Sequence, residues 1–244
     1  MRKIILLVLC LCLLAAGCAQ NESKTAVTPS VSAEIIARQI KAEDGTLLLN
    51  LEHPELTVGL PDTDVADRIQ QNINQLVQQR MTPAFALEEY AKEAYGQQSA
   101  WVNWSATMQA DISRVDEQII SIFFEYSEFS GGAHPNFAVF SANYDCKTGQ
   151  PMQLTDLLAE GHSVLELAAL VNATLEPDKA LLYDDYEALV SISFTSSAFP
   201  CWYLSEDGLC FAFAPYSIAP YASGIITATI SYEKLGEILR LEYL

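Results

Sequence analysis

The sequence predicts an α+β fold, mostly antiparallel sheet with helices packed on one face. Two observations carry that reading. Alternating apolar segments follow one another with turn signals between them, which links strands as hairpins. The helical patterns are few and grouped, one long run early and shorter ones later, not interleaved one for one with strands. Half of the 244 residues are apolar, so a substantial core is available.

The first strands are Ile35 to Ile40 and Thr46 to Leu51, joined by the hairpin signal "EDG". Val65, Ile69, Ile73, Leu76 and Val77 then recur at spacings of three and four, one face of a helix. Asp62 or Thr63 caps it, and helix resumes across "AFALEEYAKEAYG" to end at Gly96. Two extended segments follow around a turn at Val115 to Glu117, with Ile120, Ile122, Phe124 and Tyr126 on one face of the second. Ala138, Phe140, Ala142 and Tyr144 alternate in the next strand, and "DCKTG" turns the chain. "LTDLLAEG" reads as a short helical turn capped by Thr155. Ser163 and Glu166 have capping-box spacing for a helix that Pro177 ends, and another helical stretch covers Ala180 to Leu189. Its acidic "YDDYE" reads as a solvated face. The tail reads strand, "SEDG" turn, strand, Pro/Tyr-rich loop, strand and short helix.

The N-terminus is a targeting segment, not a fold element. Arg2 and Lys3 precede the apolar run Ile4 to Leu14, which is too short to span a bilayer as a helix. "LLAAGC" then resembles a bacterial lipobox, making residues 1–17 a lipoprotein signal peptide and Cys18 the lipid attachment site. Residues 18–31, rich in Ser and Thr, read as a flexible tether. The expected location is the cell membrane, lipid-anchored at its extracytoplasmic face.

The chain carries a net charge of −18, and loss of Arg2 and Lys3 with the signal brings it to about −20. So acidic a body repels nucleic acid and attracts cationic partners. Past the signal and Cys18 three cysteines remain: Cys146, Cys201 and Cys210. If Leu204 faces Leu209 across the "SEDG" turn, Cys201 and Cys210 are diagonal neighbours, about 7–8 Å apart, beyond easy disulfide reach. Cys146 pairs with one of them or stays a buried thiol. No CxxC pair or Cys/His cluster suggests zinc, and no cofactor is expected.

"SGGAHPN", Ser130 to Asn136, holds one of only three histidines, in a glycine-rich loop. Gly131 and Gly132 permit positive φ, and Pro135 pushes His134 toward extended backbone. The residues read first as a shaped turn, then as a partner contact, and last as a catalytic site. His53, before Pro54 at a strand end, and His162, before the Ser163 cap, are dispersed from it. No GxSxG elbow, HExxH, P-loop or dinucleotide fingerprint is present.

Three stretches taken in order, "SGGAHPN", "NYDCKTGQPMQLTDLL" and "WYLSEDGLCFAFAPYSIAPYASG", resemble the exported domain of the RsiV-type anti-sigma factors. The same domain pair stands beside the catalytic domain of the PdaC-type peptidoglycan deacetylases. The resemblance runs from about Ser32 to Leu239, with residues 32–150 the PdaC-like half and 151–244 the RsiV-like half, together one compact unit. It implies an α+β sensor or binding module that is not itself an enzyme. In RsiV this domain binds lysozyme, a cationic enzyme, and binding exposes the anti-sigma factor to proteolysis. Neither a cytoplasmic anti-sigma segment nor a deacetylase domain is expected here, so what carries over is the binding module. By this resemblance the partner-binding candidates are Ser130, Gly131, Gly132, His134, Pro135 and Asn136, with Pro220 and Tyr221 in the Pro/Tyr loop. A glycan-binding module using Trp101, Trp104 and Trp202, and a hydrolase centred on His134, are the competing expectations. The first requires an exposed groove with an aromatic floor. The second requires an acid or serine within reach of His134.

Overall fold

The computed structural model describes residues 27–97, 101–196 and 200–244. The signal peptide, Cys18 and most of the expected tether lie outside the described residues.

The α+β expectation holds, in the form of two sheets, each with its own core. Strands β1 (Ser30–Lys41) and β2 (Leu47–Gly59) form a long hairpin. Helix α1 (Thr63–Tyr95) follows, then the meander β3 (Trp104–Val115), β4 (Ile119–Phe129) and β5 (Asn136–Asp145). The five strands lie in the order β1-β2-β3-β4-β5. All neighbours are antiparallel except β2 and β3, which run parallel over Leu49–Glu52 because α1 carries the chain back between them. Ile69, Ile73, Met81 and Ala84 of α1 are fully buried, packed on the sheet face that presents Ile120, Ile122, Phe124 and Phe140. Asp62 is the N-cap, its carboxylate accepting from the backbone N–H groups of Asp64 at 3.0 Å and Val65 at 3.2 Å.

Helix α2 (Val164–Leu175), α3 (Tyr186–Thr195) and the strands β6 (Cys201–Leu204), β7 (Gly208–Phe213) and β8 (Ile226–Ser231) make the second core, which α4 (Tyr232–Leu235) closes. Leu204, Leu209 and Ile230 lie side by side across β6-β7-β8, as do Trp202, Phe211 and Ala228. These residues form one face, buried against Leu167, Val171, Val190 and Phe194 of the two helices.

Each sheet thus has helices on one face, and the two remaining faces meet at β6. The sequence shows why. Strand β4 is buried at six consecutive positions, Ile119 to Phe124. Its even residues face α1, while Phe123 stacks on Tyr203 of β6 with ring centroids 4.8 Å apart. The outer edge of β6 would be left with open backbone groups. Instead the Leu204 N–H donates to Ser121 Oγ at 2.8 Å and Asn143 Nδ2 donates to the Trp202 carbonyl at 3.0 Å. Ser121 Oγ in turn donates to Asn143 Oδ1 at 2.6 Å. These two are the buried polar residues among those described, and they finish a strand edge that another strand would otherwise claim. Arg114, in the β3–β4 region, adds a second tie: it pairs with Asp116 at 2.6 Å and donates to the Tyr232 hydroxyl at 2.7 Å and the Tyr243 carbonyl at 2.9 Å.

Several local expectations change. Helix α1 does not pause; it runs through Pro83, because buried Met81 and Ala84 hold both sides of the proline against the sheet. Strand β2 continues past Leu51, so His53 is mid-strand rather than at a strand end. Pro54 is tolerated there because β3 pairing stops at Glu52 and leaves one edge of β2 free. Gln153, not Thr155, caps the 3-10 turn Leu154–Leu157, since the Asp156 carboxylate takes up the Gln153 N–H at 2.7 Å. Helix α2 ends at Leu175, but Pro177 continues the chain as the 3-10 turn Glu176–Leu181. Helix α3 begins only at Tyr186, as the Tyr183 N–H is taken by the Ile218 carbonyl at 3.0 Å. The capping box of Ser163 and Glu166 is present as expected, with the Ser163 N–H bonded to the Glu166 carboxylate at 2.8 Å.

Candidate functional site

The loop after β4 and the loop after β7 come from different cores and meet on one exposed edge. Ser130 to Asn136 bridges β4 and β5, and all of it is exposed except half-buried Pro135. Gly131 and Gly132 have φ of 102 and 105°, conformations a side chain would resist. The Pro/Tyr loop is nailed down by Ile218 and Ala219, 1 % and 2 % exposed, in the second core. The Tyr216 N–H donates to the Ala219 carbonyl at 3.0 Å, and Tyr216 takes a positive φ of 71°, rare for a bulky residue. Its ring is 59 % exposed.

Tyr221 crosses between the loops. Its ring stacks on the His134 imidazole with centroids 3.8 Å apart, and its hydroxyl donates to the Pro135 carbonyl at 3.0 Å. Tyr216 lies 5.6 Å from Tyr221, and Phe137, at the start of β5, lies 6.1 Å from it. The result is a cluster of four rings at the surface, held from behind by both halves of the chain. Glu128 sits opposite Asn136 at the base of the loop, and its carboxylate accepts from the Tyr126 hydroxyl at 2.6 Å. Burial, with that carboxylate beside it, pushes the Tyr126 phenol well above its ordinary range.

The structure therefore brings the two sets of candidates together. Pro220 orients the next residue, at the start of the 3-10 turn Tyr221–Ser223. Tyr216 and Phe137 were missed in the sequence. The signal for Tyr216 was the repeated dipeptide, Pro215–Tyr216 and Pro220–Tyr221, five residues apart. Phe137 carried only a strand signal.

His134 Nδ1 lies 2.9 Å from the Pro135 carbonyl, which can only accept, so Nδ1 is the donor there. Nε2 is then free to accept from the Tyr216 hydroxyl at 3.3 Å. Neither contact is the carboxylate or serine that a hydrolase requires. Trp104 and Trp202 are buried, at 8 % and 7 % exposed. Half-buried Trp101 stacks on Trp104 and donates to the Leu47 carbonyl at 3.0 Å, so the tryptophans make no open aromatic floor. Among the described residues no group of three His, Cys, Asp or Glu side chains is placed to hold a metal ion.

All three described cysteines are free thiols. Tyr203 faces Cys210 and Leu204 faces Leu209, the register that keeps Cys201 and Cys210 apart. Burial pushes Cys201 up to about 12, and burial with Asp116 and Asp145 nearby does the same for Cys146. Burial likewise raises Tyr144 to about 12. These groups are neutral when protonated, and their folded values lie above the ordinary 9.0 and 10.0. Their stabilisation is thus complete below pH 9 and is lost as pH rises through about 12. Thermal melts followed by circular dichroism across the alkaline range will show a falling midpoint over that window. A midpoint that stays flat through it contradicts the assignment.

The geometry defines a two-core α+β protein with a ring-lined edge built from two loops. Residues 40–137 match the family model described as Deacetylase PdaC, and residues 155–233 match that described as Protein of unknown function (DUF3298). The two matches follow one another along the chain, the PdaC-like stretch first and the DUF3298-like stretch second. Among solved structures, a member of the DUF3298 family from Bacteroides fragilis is similar, with 20% identity and a TM-score of 0.60. The match covers 87% of this chain and 94% of that one. A DUF3298 family protein from Pseudomonas aeruginosa PAO1 is also similar, at 20% identity and a TM-score of 0.55, over 89% of this chain and 96% of that one. At that identity the likeness is one of fold. No curated protein matches the chain significantly. Among the described residues no helix is long and apolar enough to cross a membrane.

Proposed function

We propose that the protein is a lipid-anchored extracytoplasmic module that binds a cationic protein, with lysozyme as the first partner to test, on the edge formed by His134, Phe137, Tyr216 and Tyr221. The carrying observation is the stack of Tyr221 on His134 at 3.8 Å, which joins loops from both cores into one surface. Amphipathic tyrosines held rigidly by a scaffold are the side chains that anchor protein contacts. The net charge of −18 speeds the approach of a basic partner. The lipobox at Cys18 supports the anchor. The reading needs no catalytic step, in keeping with a His134 that is occupied in holding its own loop.

Calorimetric titration of residues 27–244 with c-type lysozyme, at low and at moderate salt, tests it. Saturable binding is expected at both. Replacing Tyr221 with Ala removes the ring stack and the bond to Pro135, and is expected to weaken binding roughly 30-fold, the scale of an interface anchor. Absence of saturable binding at micromolar concentration, or equal affinity of the Tyr221→Ala variant, overturns the proposal. Binding that vanishes at moderate salt reduces it to unspecific charge attraction.

A further inference from the structure

Strand β1 is an edge of the large sheet, and among the described residues its one strand partner is β2. It is twelve residues long without a proline or glycine, and every residue but Val31 and Ile40 is exposed. Ile35 and Ile36 are 54% and 39% exposed. Ile36 also lines a groove of about 430 Å³, between the hairpin and α1, whose walls include His53, Pro54, Met81 and Phe85. Proteins ordinarily blunt so long an edge, and here the central stretch Ile35–Ala37 carries no charge or proline.

Its charges are informative. In a chain of net charge −18, β1 carries Glu34, Arg38 and Lys41 and is net positive. Suppose two copies pair antiparallel through β1 about a two-fold axis normal to the sheet. Such an axis keeps each side chain on its own face, so the pairing must centre on a residue facing its own copy. Centring on Ile36 aligns Val31 to Lys41 along the full strand. It sets Glu34 opposite Arg38 of the other copy, and Arg38 opposite Glu34, with the two Ile36 side chains between them. Centring on Ile35 or on Ala37 instead sets Glu34 opposite an isoleucine. The registers centred on Ile35 and on Ile36 overlap equally and the most, and of the two only the second sets Glu34 against Arg38.

We propose that the free edge of β1 pairs with β1 of a second copy of this chain, antiparallel and centred on Ile36, joining the two large sheets into one. The proposal is independent of the ligand-binding edge, which lies on other loops. Cross-strand ion pairs and an apolar pair at the centre are the contacts that fix a register.

The test uses residues 27–244, which contain every element of both cores, in sedimentation and light scattering over a range of concentration. The wild type is expected to reach twice the monomer mass at high micromolar concentration. Glu34→Arg places two arginines face to face, and Arg38→Glu two glutamates; each alone is expected to give a monomer. The double variant E34R/R38E restores opposite charges across the axis and is expected to restore the dimer. Arg38 also bonds Glu88 of its own chain at 2.6 Å, and the double variant lacks that bond too, so recovery has to come across the axis. A wild type that stays monomeric throughout, a dimer untouched by the single changes, or a double variant that stays monomeric overturns the proposal. So does a monomer whose β1 amides gain exchange protection only when a different protein is added.

Discussion

Replacing Asn143 with Ala is expected to lower stability by about 3 kcal/mol, the range for stranding buried hydrogen-bonding groups. The change leaves the Trp202 carbonyl without its donor and Ser121 Oγ without its acceptor, in a joint where both side chains are buried. For a chain of this size, that corresponds to roughly 6–12 °C in melting temperature. Ser121→Ala acts on the same joint by stranding the Leu204 N–H, bonded at 2.8 Å in the native protein. Since the two residues form one network, the double alanine variant is expected to cost clearly less than the sum of the singles. Thermal and urea unfolding measure all three. A single variant melting with the wild type, or strict additivity, would show that water or a shifted β6 replaces the network.

Replacing Gly208 with Ala is expected to do still more damage. Gly208 opens β7 at the turn, with φ of 154°, and pairs with Ser231 of β8. A Cβ there would collide with the Ile230 carbonyl oxygen, a backbone atom that cannot move without dragging β8 out of register. The expected cost is about 3–5 kcal/mol, seen as loss of soluble protein or a much lower urea midpoint. Gly45→Ala is the control. It has a positive φ of 87° but open space around it, so only backbone strain of about 1 kcal/mol applies. Comparable losses in the two variants would mean that conformation, not the approach of β8, is what Gly208 supplies.

The sequence was informative where one local signal sufficed. Alternation from Ala138 to Tyr144, the Ser163 box and the "SEDG" register from Leu204 to Leu209 all reappear in the structure. It misled where tertiary packing outweighed a local rule. Pro83 reads as a break in helix α1, yet the sheet beneath holds the helix whole, and Pro54 reads as a strand end although β2 carries on. The candidate edge was half legible. The two loops could be singled out, but their meeting depends on how one core docks on the other, and no periodicity encodes that. Asn143 shows the same limit: in the sequence it is one polar position of an alternating strand, and only the presence of β6 opposite gives it a task.

Strand β4 also imposes an order in time. The large sheet is complete once Asp145 has emerged, but its second neighbour begins only at Cys201. In that interval Ile119 and Phe123 wait in water on a finished sheet, a surface on which two unfinished chains would stick together. Ser121 and Asn143 stand among them and can bond to each other before β6 arrives. The pair that later closes the joint therefore also breaks up a surface that would otherwise be wholly apolar.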